Sequence, residues 1–411
     1  MQKNDKARVN KYTIHFLLTI SSLIAMNNCL ANVDTLSGDS TRYVKSIHLN
    51  YQLGKVIPTH AFVQGENPKH EPYNLFQAFS AQYGIRTDGR KLWQQLYGYP
   101  VWGFGLFYID FLNDDEFGKP LAIYSYINAP FKRWHNWSVN YEVGFGLSLN
   151  WKPHELLEAG YYYPIGSYFT VFFDFGINSS IKLAKNWDLN LGFNYTHFSN
   201  GAVKLPNLGV NVFAPRVGVQ YIVKQRPTYK VQEVPKYLKE WEWLITASPS
   251  IRQVGFTYEY NGDTLAEAFN YGVFTISTAI NRQISHKVKF GGGFDFSYNE
   301  AYAAETLLDE YGSLQKVPAT FKDKFLIGIY PSFELVFNKL LMTVQPGFYI
   351  YRQEVENMET PTTYQRVGLR YYIGKHFITG VNIRAYNFSK ADFIEFNLGY
   401  SLRWQKSYRK N

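Results

Sequence analysis

Hydrophobic and polar side chains alternate along most of the chain with the period of two that is typical of a β-strand. Between Trp137 and Trp151, every odd position is apolar and every even position is polar or glycine. About sixteen segments of this kind recur from Lys45 to Trp404. Each is about as long as a tilted strand that crosses a membrane. The pattern predicts an all-β protein of about sixteen antiparallel strands.

The connections between these segments are alternately long and short. Residues 55–73, 152–166, 200–208 and 299–321 form long connections, whereas 184–186, 338 and 374–375 are tight turns. Outer-membrane barrels have long loops outside the cell and short turns in the periplasm. The 34 Tyr, 32 Phe and 9 Trp fit the same class, since strand faces and membrane interfaces favour aromatic residues. A transmembrane outer-membrane β-barrel is therefore favoured over a soluble sandwich, which would bury its apolar face against a second sheet.

The N-terminus predicts export. A basic segment precedes an apolar run from Phe16 to Met26, and a cleavage site after Ala31 makes residues 1–31 a secretory signal peptide. Cys29 is the only cysteine, so the mature chain has no disulfide; an acylated Cys29 is the alternative. The net charge is +9, or +6 without the signal peptide, and its even spread predicts no nucleic-acid partner.

The chain divides into two similar halves. A barrel region at 42–223 is followed by a basic linker at 224–241 and a second, non-catalytic half at 242–405. A shift of 190 residues places 194–200 (NYTHFSN) on 384–390 (RAYNFSK). This predicts a diverged duplication of an eight-strand unit, in which Asn387 stands where the first half has His197. A chance alignment of two strand-rich halves is the alternative, and one large barrel or two small ones both fit.

Candidate chemistry lies at the end of the segment from Trp187 to Ser199. His197 and Ser199 are two residues apart, so they share the apolar face of that strand. A serine nucleophile needs an adjacent base, and a third group must orient the imidazole. A hairpin centred near Lys204 would pair His197 with Asn211 on the next strand. We therefore predict His197, Ser199 and Asn211 as catalytic residues, although such a pair can also be purely structural.

The backbone just beyond this strand could complete the site. The amides of Asn200 and Gly201 lie where the strand ends, and they could donate hydrogen bonds to a developing oxyanion. The sequence shows neither a clustered Cys/His metal site nor a phosphate-binding glycine loop, so no metal is predicted.

The same residues resemble a known family. His197 to Gly201, followed by Lys204-Leu205-Pro206-Asn207 and Gly209, resembles the signature of the PagL-like lipid A 3-O-deacylases, which are outer-membrane enzymes, and the resemblance covers about 45–223. It implies that Ser199 is the nucleophile, His197 the base and Asn200 part of the oxyanion site. The family is expected to have a glutamate where this chain has Asn211. A His-x-Ser pair followed twelve residues later by Asn is similar to outer-membrane phospholipase A.

These observations predict an outer-membrane serine esterase that removes an ester-linked acyl chain from lipid A. Its partners would be lipopolysaccharide and membrane lipids, with the site facing the outer leaflet and no cofactor required. A phospholipase A, for which calcium would be conceivable, is one alternative. A non-enzymatic channel or structural barrel is another. The acyl chain removed and the oligomeric state are left open.

Overall fold

The computed structural model describes residues 43–112, 116–224, 226, 229, 233–302, 305–318, 320–352, 361–387 and 390–405. The predicted signal peptide, residues 1–31, lies outside the described residues. Two short helices, α1 (Ala61–Gln64) and α2 (Leu92–Leu96), and a 3-10 turn (Lys322–Lys324) accompany the strands. None of the helices in the described part of the chain is long and apolar enough to cross a membrane.

The described part of the first half contains eight strands. They are β1 (Val44–Val56), β2 (Leu75–Arg86), β3 (Val101–Asp110), β4 (Gly118–Arg133), β5 (Trp137–Trp151), β6 (Thr170–Lys182), β7 (Trp187–Ser199) and β8 (Val210–Ile222). Each pairs antiparallel with its neighbours, and β1 pairs with β8, which closes the sheet. We call this sheet the first barrel.

The second half forms its own closed barrel. Its strands are β9 (Glu240–Tyr260), β10 (Asp263–Gln283), β11 (Val288–Asn299), β14 (Phe325–Phe337), β15 (Leu340–Tyr351), β16 (Thr363–Ile373), β17 (Phe377–Tyr386) and β18 (Lys390–Trp404). The pairing of β18 with β9 closes this second barrel, and a short hairpin of β12 (Glu305–Leu308) and β13 (Leu314–Val317) lies in a connection.

The predicted fold class is confirmed, and the structure decides the question that the sequence left open: the sixteen barrel strands form two closed barrels of eight. Both halves thus have the architecture expected of a duplicated eight-strand unit. The strand β9 begins at Glu240, inside the segment predicted as a linker.

Apolar side chains cover the outer walls. On β7 and β8, Phe193, Phe213 and Val217 point outward with about half of their surface exposed. Their neighbours along each strand are buried in the barrel interior. An apolar exterior with a polar interior is the pattern of a barrel that faces lipid.

The interior of the first barrel is aromatic at one end and polar at the other. The aromatic end lies beside the 57–74, 152–169 and 200–209 loops, and we call it the loop end; the opposite end of each barrel is the turn end. Rings from strands and loops fill the loop end, and they include Phe62, Phe107, Phe117, Trp151, Phe172 and Phe198. Further along, Arg216 donates to Glu142 at 2.6 Å. The packed rings make the loop end a solid core rather than a pore.

The interior of the second barrel is held by buried ion pairs. Asp295 accepts from Arg366 and Arg384 at 2.7 and 2.8 Å, and Arg366 also contacts Glu395 at 2.6 Å. These side chains are almost entirely buried. A buried pair is costly to break because one charge is left uncompensated, so these contacts fix the interior of this barrel.

The two barrels touch at both ends. At the turn end, Tyr97 donates to the Val336 carbonyl at 2.8 Å and stacks on Phe337 with ring centres 4.5 Å apart. At the loop end, the Leu205 N–H donates to the Gln253 side chain at 2.6 Å. The barrels therefore lie side by side, with their loop ends on the same side.

The loop-end core should be a major source of stability for β7. Phe198 is fully buried there, with ring centres 5.0 Å from Trp151 and 5.6 Å from Phe172. Phe198→Ala should lower the free energy of unfolding by about 3–5 kcal/mol, the usual cost of removing a buried aromatic ring. Phe193→Ala is the control, since Phe193 lies on the same strand with 58% of its surface exposed. Equal loss of stability in a denaturant titration of both variants would contradict this packing.

Candidate active site

Strand β7 ends with His197 and Ser199 on the outer wall of the first barrel. Their neighbours point the other way: Asn194 and Thr196 donate to the carboxylate of Asp174 inside the barrel at 2.6 and 2.7 Å. Phe198, between the two candidate residues, is anchored in the loop-end core. Alternation along one strand therefore holds both groups on the same outward face.

His197 is oriented by Asn211 on strand β8. The two residues are directly paired in the sheet, which confirms the register predicted from the hairpin. His197 Nδ1 lies 2.6 Å from Asn211 Oδ1. An amide oxygen can only accept, so Nδ1 carries the hydrogen and Nε2 has the free lone pair that a general base needs.

The Asn211 amide is itself fixed by two further contacts. The Tyr195 hydroxyl donates to Asn211 Oδ1 at 2.7 Å, and Asn211 Nδ2 donates to Thr59 Oγ1 at 3.2 Å. This network defines which end of the amide faces His197. The amide thus orients the imidazole as a carboxylate would, but without a negative charge.

Ser199 is held by the 200–209 loop. Its Oγ lies 3.2 Å from Asn207 Oδ1 and 3.1 Å from Asn207 Nδ2, and it accepts from the Gly201 N–H at 3.0 Å. Only 5% of Ser199 is exposed because this loop covers it. Within the described residues, His197 and Ser199 share no hydrogen bond, so the expected contact between nucleophile and base is not formed in this conformation.

Gly209 lies between the two groups. A Cβ atom at this position would be 3.2 Å from His197 Cε1 and 3.8 Å from Ser199 Cβ. The imidazole and the Ser199 side chain therefore both border the space in front of Gly209. His60 Nε2 donates to the Gly209 carbonyl at 2.9 Å, and burial lowers the pKa of His60, which keeps its ring neutral at pH 7.

The two predicted oxyanion residues differ in where their amides point. The Gly201 N–H is directed at Ser199 Oγ, whereas the Asn200 N–H donates to Asn207 Oδ1 at 2.8 Å. The Asn200 side chain donates to Ser167 Oγ at 3.0 Å and to the Lys204 carbonyl at 2.5 Å. Asn200 therefore ties the 200–209 loop to the 152–169 loop, and Gly201 directs its amide at Ser199 Oγ.

Sequence reasoning did not assign a role to several residues of this site. Tyr195 could have been found, since it precedes His197 by two positions and so shares its face. Asn207 stands in the family-like motif but has no spacing rule that pairs it with Ser199. Thr59 is 152 residues from Asn211, and no local pattern indicates their contact.

Among the described residues, no group of three or more His, Cys, Asp or Glu side chains could hold a metal ion. In the second barrel, Asn387 is exposed just beyond β17, and its neighbour Ser389 lies outside the described residues.

Gly209 offers a test of this geometry. It has φ +72° and faces His197, so Gly209→Ala should strain the backbone and push a methyl group against the imidazole. Gly160 is the matched control, with φ +81° and open space around its Cβ position. We expect Gly209→Ala to lower kcat by roughly 10–100-fold, as displacement of a catalytic group does, and Gly160→Ala to leave it nearly unchanged. Equal effects in both variants would show that backbone strain alone is responsible.

Comparison with solved structures finds matches at low similarity. Neisserial surface protein A is 15% identical, with 45% of this chain and 99% of that chain covered and a TM-score of 0.25. The translocator domain of the autotransporter NalP from Neisseria meningitidis is 8% identical over 97% and 99%, with a TM-score of 0.20. The toluene transporter TodX of Pseudomonas putida is 9% identical over 90% of each chain, with a TM-score of 0.18. Comparison with curated proteins gives no significant match.

Comparison with protein families is more informative. The family described as lipid A 3-O-deacylase (PagL) matches residues 77–220, which include β7 and β8. The family described as acyloxyacyl hydrolase, C-terminal domain, matches residues 241–404, which span the second barrel. The two matches follow one another and together cover most of the described chain. The chain therefore belongs to the lipid A 3-O-deacylase and acyloxyacyl hydrolase family, and it is a hydrolase that acts on carboxylic ester bonds.

Proposed function

We propose that this protein is an outer-membrane serine esterase that removes an ester-linked acyl chain from lipid A. The observation that carries the proposal is the pairing of His197 with Asn211 beside Ser199 on the outer wall of the first barrel. A neutral imidazole with a free Nε2 next to a serine hydroxyl is the arrangement that nucleophilic ester cleavage requires.

The reaction begins when Ser199 Oγ leaves Asn207 and turns to His197 Nε2. Oγ then attacks the acyl carbonyl carbon, and its proton passes to Nε2. The negative charge that develops on the carbonyl oxygen is met by the Gly201 N–H, and one such donor contributes about 10²–10³-fold to the rate. Asn200 N–H can join it once Asn207 has moved, since Asn207 is its present acceptor.

The leaving group then departs. The intermediate collapses, the ester C–O bond breaks, and His197 returns its proton to the sugar oxygen of lipid A. The acyl chain is left on Ser199. Water activated by His197 hydrolyses this acyl-enzyme and releases the fatty acid. These steps use the side chains of Ser199 and His197, backbone N–H groups and water, and no cofactor is required.

The position of the site suits a lipid substrate. Phe193 and Phe213 flank the outward face towards the centre of the wall, and the loops lie above it. An acyl chain can remain against the apolar wall while its ester lies at headgroup level. The loop end would then face the outer leaflet, where lipopolysaccharide resides, with the short turns in the periplasm.

A phospholipase A is the second candidate, because an amide rather than a carboxylate orients the histidine. Purified protein in detergent should be given lipid A and a defined glycerophospholipid, each with calcium and with a chelator. We expect lipid A to lose the mass of one acyl chain under both conditions, with the glycerophospholipid intact. Calcium-dependent cleavage of the glycerophospholipid alone would favour the second candidate. If both lipids remain unchanged, a non-enzymatic barrel would be favoured.

A further inference from the structure

The second barrel touches the 200–209 loop, which holds Ser199. The strands β9 and β18 close that barrel, and their loop ends face this loop. Three contacts join the two parts, and they involve Gln253, Gly255 and Ile394 of the second barrel. These contacts could not be predicted from the sequence, because even the pair that is closest in the chain, Leu205 and Gln253, is 48 residues apart.

Gln253 gives the loop a polar support. Its Oε1 accepts from the Leu205 N–H at 2.6 Å, and its Nε2 donates to Asn270 Oδ1 on β10 at 3.1 Å. The side chain is half-buried and is oriented by both contacts. Leu205 lies two residues before Asn207, which holds Ser199. The hydrogen bond therefore fixes the loop close to its catalytic contacts.

Ile394 gives the same loop an apolar support. Gly201 has φ +66°, and a Cβ atom there would lie 2.6 Å from Ile394 Cδ1 and 2.8 Å from Ile394 Cγ1. The Ile394 side chain thus lies directly over the residue whose N–H points at Ser199 Oγ. Nearby, a Cβ atom at Gly255 would lie 3.3 Å from Leu205 Cδ1 and 2.5 Å from Leu156 Cδ2, so both the 200–209 loop and the 152–169 loop lie against β9.

We propose that the second barrel is a working part of the active site, in which Gln253 and Ile394 are positioning residues. They hold the 200–209 loop in the conformation that aims the Gly201 N–H at Ser199. This inference rests on the proposed esterase function. It gives the second barrel a role without a catalytic residue of its own. The second barrel supports from outside a loop that the first barrel holds through the 152–169 loop, where the Gly166 N–H donates to the Pro206 carbonyl at 2.7 Å.

The test compares variants of the full-length protein in detergent. Gln253→Leu removes the acceptor for the Leu205 N–H, whereas Gln253→Glu keeps it. Gln315→Leu is the control, because Gln315 is an exposed glutamine of the β12–β13 hairpin, and its side chain donates to Asp309. Active sites are titrated with a fluorophosphonate, and kcat and KM for lipid A are measured per titrated site.

We expect Gln253→Leu to lower kcat and the rate of fluorophosphonate attack together, by roughly 10–100-fold, with KM little changed. Gln253→Glu should restore most of both rates, and Gln315→Leu should match the wild type. Loss of folded protein alone would lower the number of titrated sites without changing the rate at each one. Ile394→Ala should behave like Gln253→Leu, and Ile394→Leu like the wild type, which keeps the test valid if one variant folds poorly.

Wild-type rates per site in both Gln253→Leu and Ile394→Ala would overturn the inference. It would also be overturned if Gln253→Glu were as slow as Gln253→Leu, because the hydrogen bond to Leu205 would then be irrelevant. Failure of the proposed function has a different signature: Ser199→Ala would retain activity. The two failures can therefore be told apart.

Discussion

Replacing Ser199 with alanine is expected to reduce deacylation of lipid A by roughly 10⁴–10⁶-fold, the loss seen when a serine nucleophile is removed. The Ser199 hydroxyl oxygen is the atom that would form the acyl-enzyme, and the backbone N–H of Gly201 is directed at it. His197→Ala should cause a similar loss, because the base and nucleophile act as one unit. The double variant should be little worse than either single variant.

The measurement is mass spectrometry of lipid A from cells that produce each variant. Ser389→Ala is the control, since Ser389 is the predicted counterpart of Ser199 in the second half and should be dispensable. Unchanged deacylation by Ser199→Ala would contradict the nucleophile assignment. Activity lost through Ser389→Ala would instead move the chemistry to the second barrel.

Replacing Asn211 with leucine, which is of similar size, is expected to lower kcat by roughly 10²–10⁴-fold. Loss of the group that orients a catalytic histidine has an effect of this size. His197 Nδ1 and the Tyr195 hydroxyl would both lose their acceptor, so the imidazole could turn or change tautomer. The barrel should remain closed, because Asn211 lies on the outer wall.

Acidic substitutions of Asn211 distinguish a site in which a carboxylate can orient His197 from a site that requires the amide. Asn211→Asp keeps an acceptor for both donors, and the Thr59 hydroxyl can reverse its hydrogen bond, so activity should be retained. Asn211→Glu restores the residue expected in the deacylases. Retained kcat in this variant would support a deacylase-like site, and complete loss would favour a site built around the amide. Steady-state rates on lipid A, with closed barrels verified by resistance to unfolding in cold detergent, distinguish these outcomes.

The fold could be predicted because alternation of apolar and polar residues directly reports a strand with one face towards lipid. The number of barrels could not be predicted from this signal. Closure depends on β1 pairing with β8 and β9 with β18, and each of these contacts joins residues far apart in the chain. Periodicity describes each strand, whereas closure depends on how the whole sheet curves.

The candidate active site also combines residues that the sequence places together with residues that only the tertiary structure brings close. His197, Ser199 and Asn211 were accessible because strand parity and one hairpin register place them on the same patch. The arrangement of Ser199 was not accessible, because its hydroxyl is held by the side chain of Asn207, a loop residue that no strand pattern places. Gln253 lies on the other barrel, so only the tertiary structure reveals its contact with the loop.

The claim that Ser199 on the outer wall is the nucleophile of a serine esterase can be tested most directly by covalent labelling. Full-length protein is treated with a fluorophosphonate that carries a long alkyl chain, and the modified residue is identified by peptide mass spectrometry. We predict modification of Ser199, strongly slowed in His197→Ala and in Asn211→Leu and absent in Ser199→Ala. Modification of a different residue, or labelling of Ser199 at the same rate without His197, would contradict a serine esterase built on this patch.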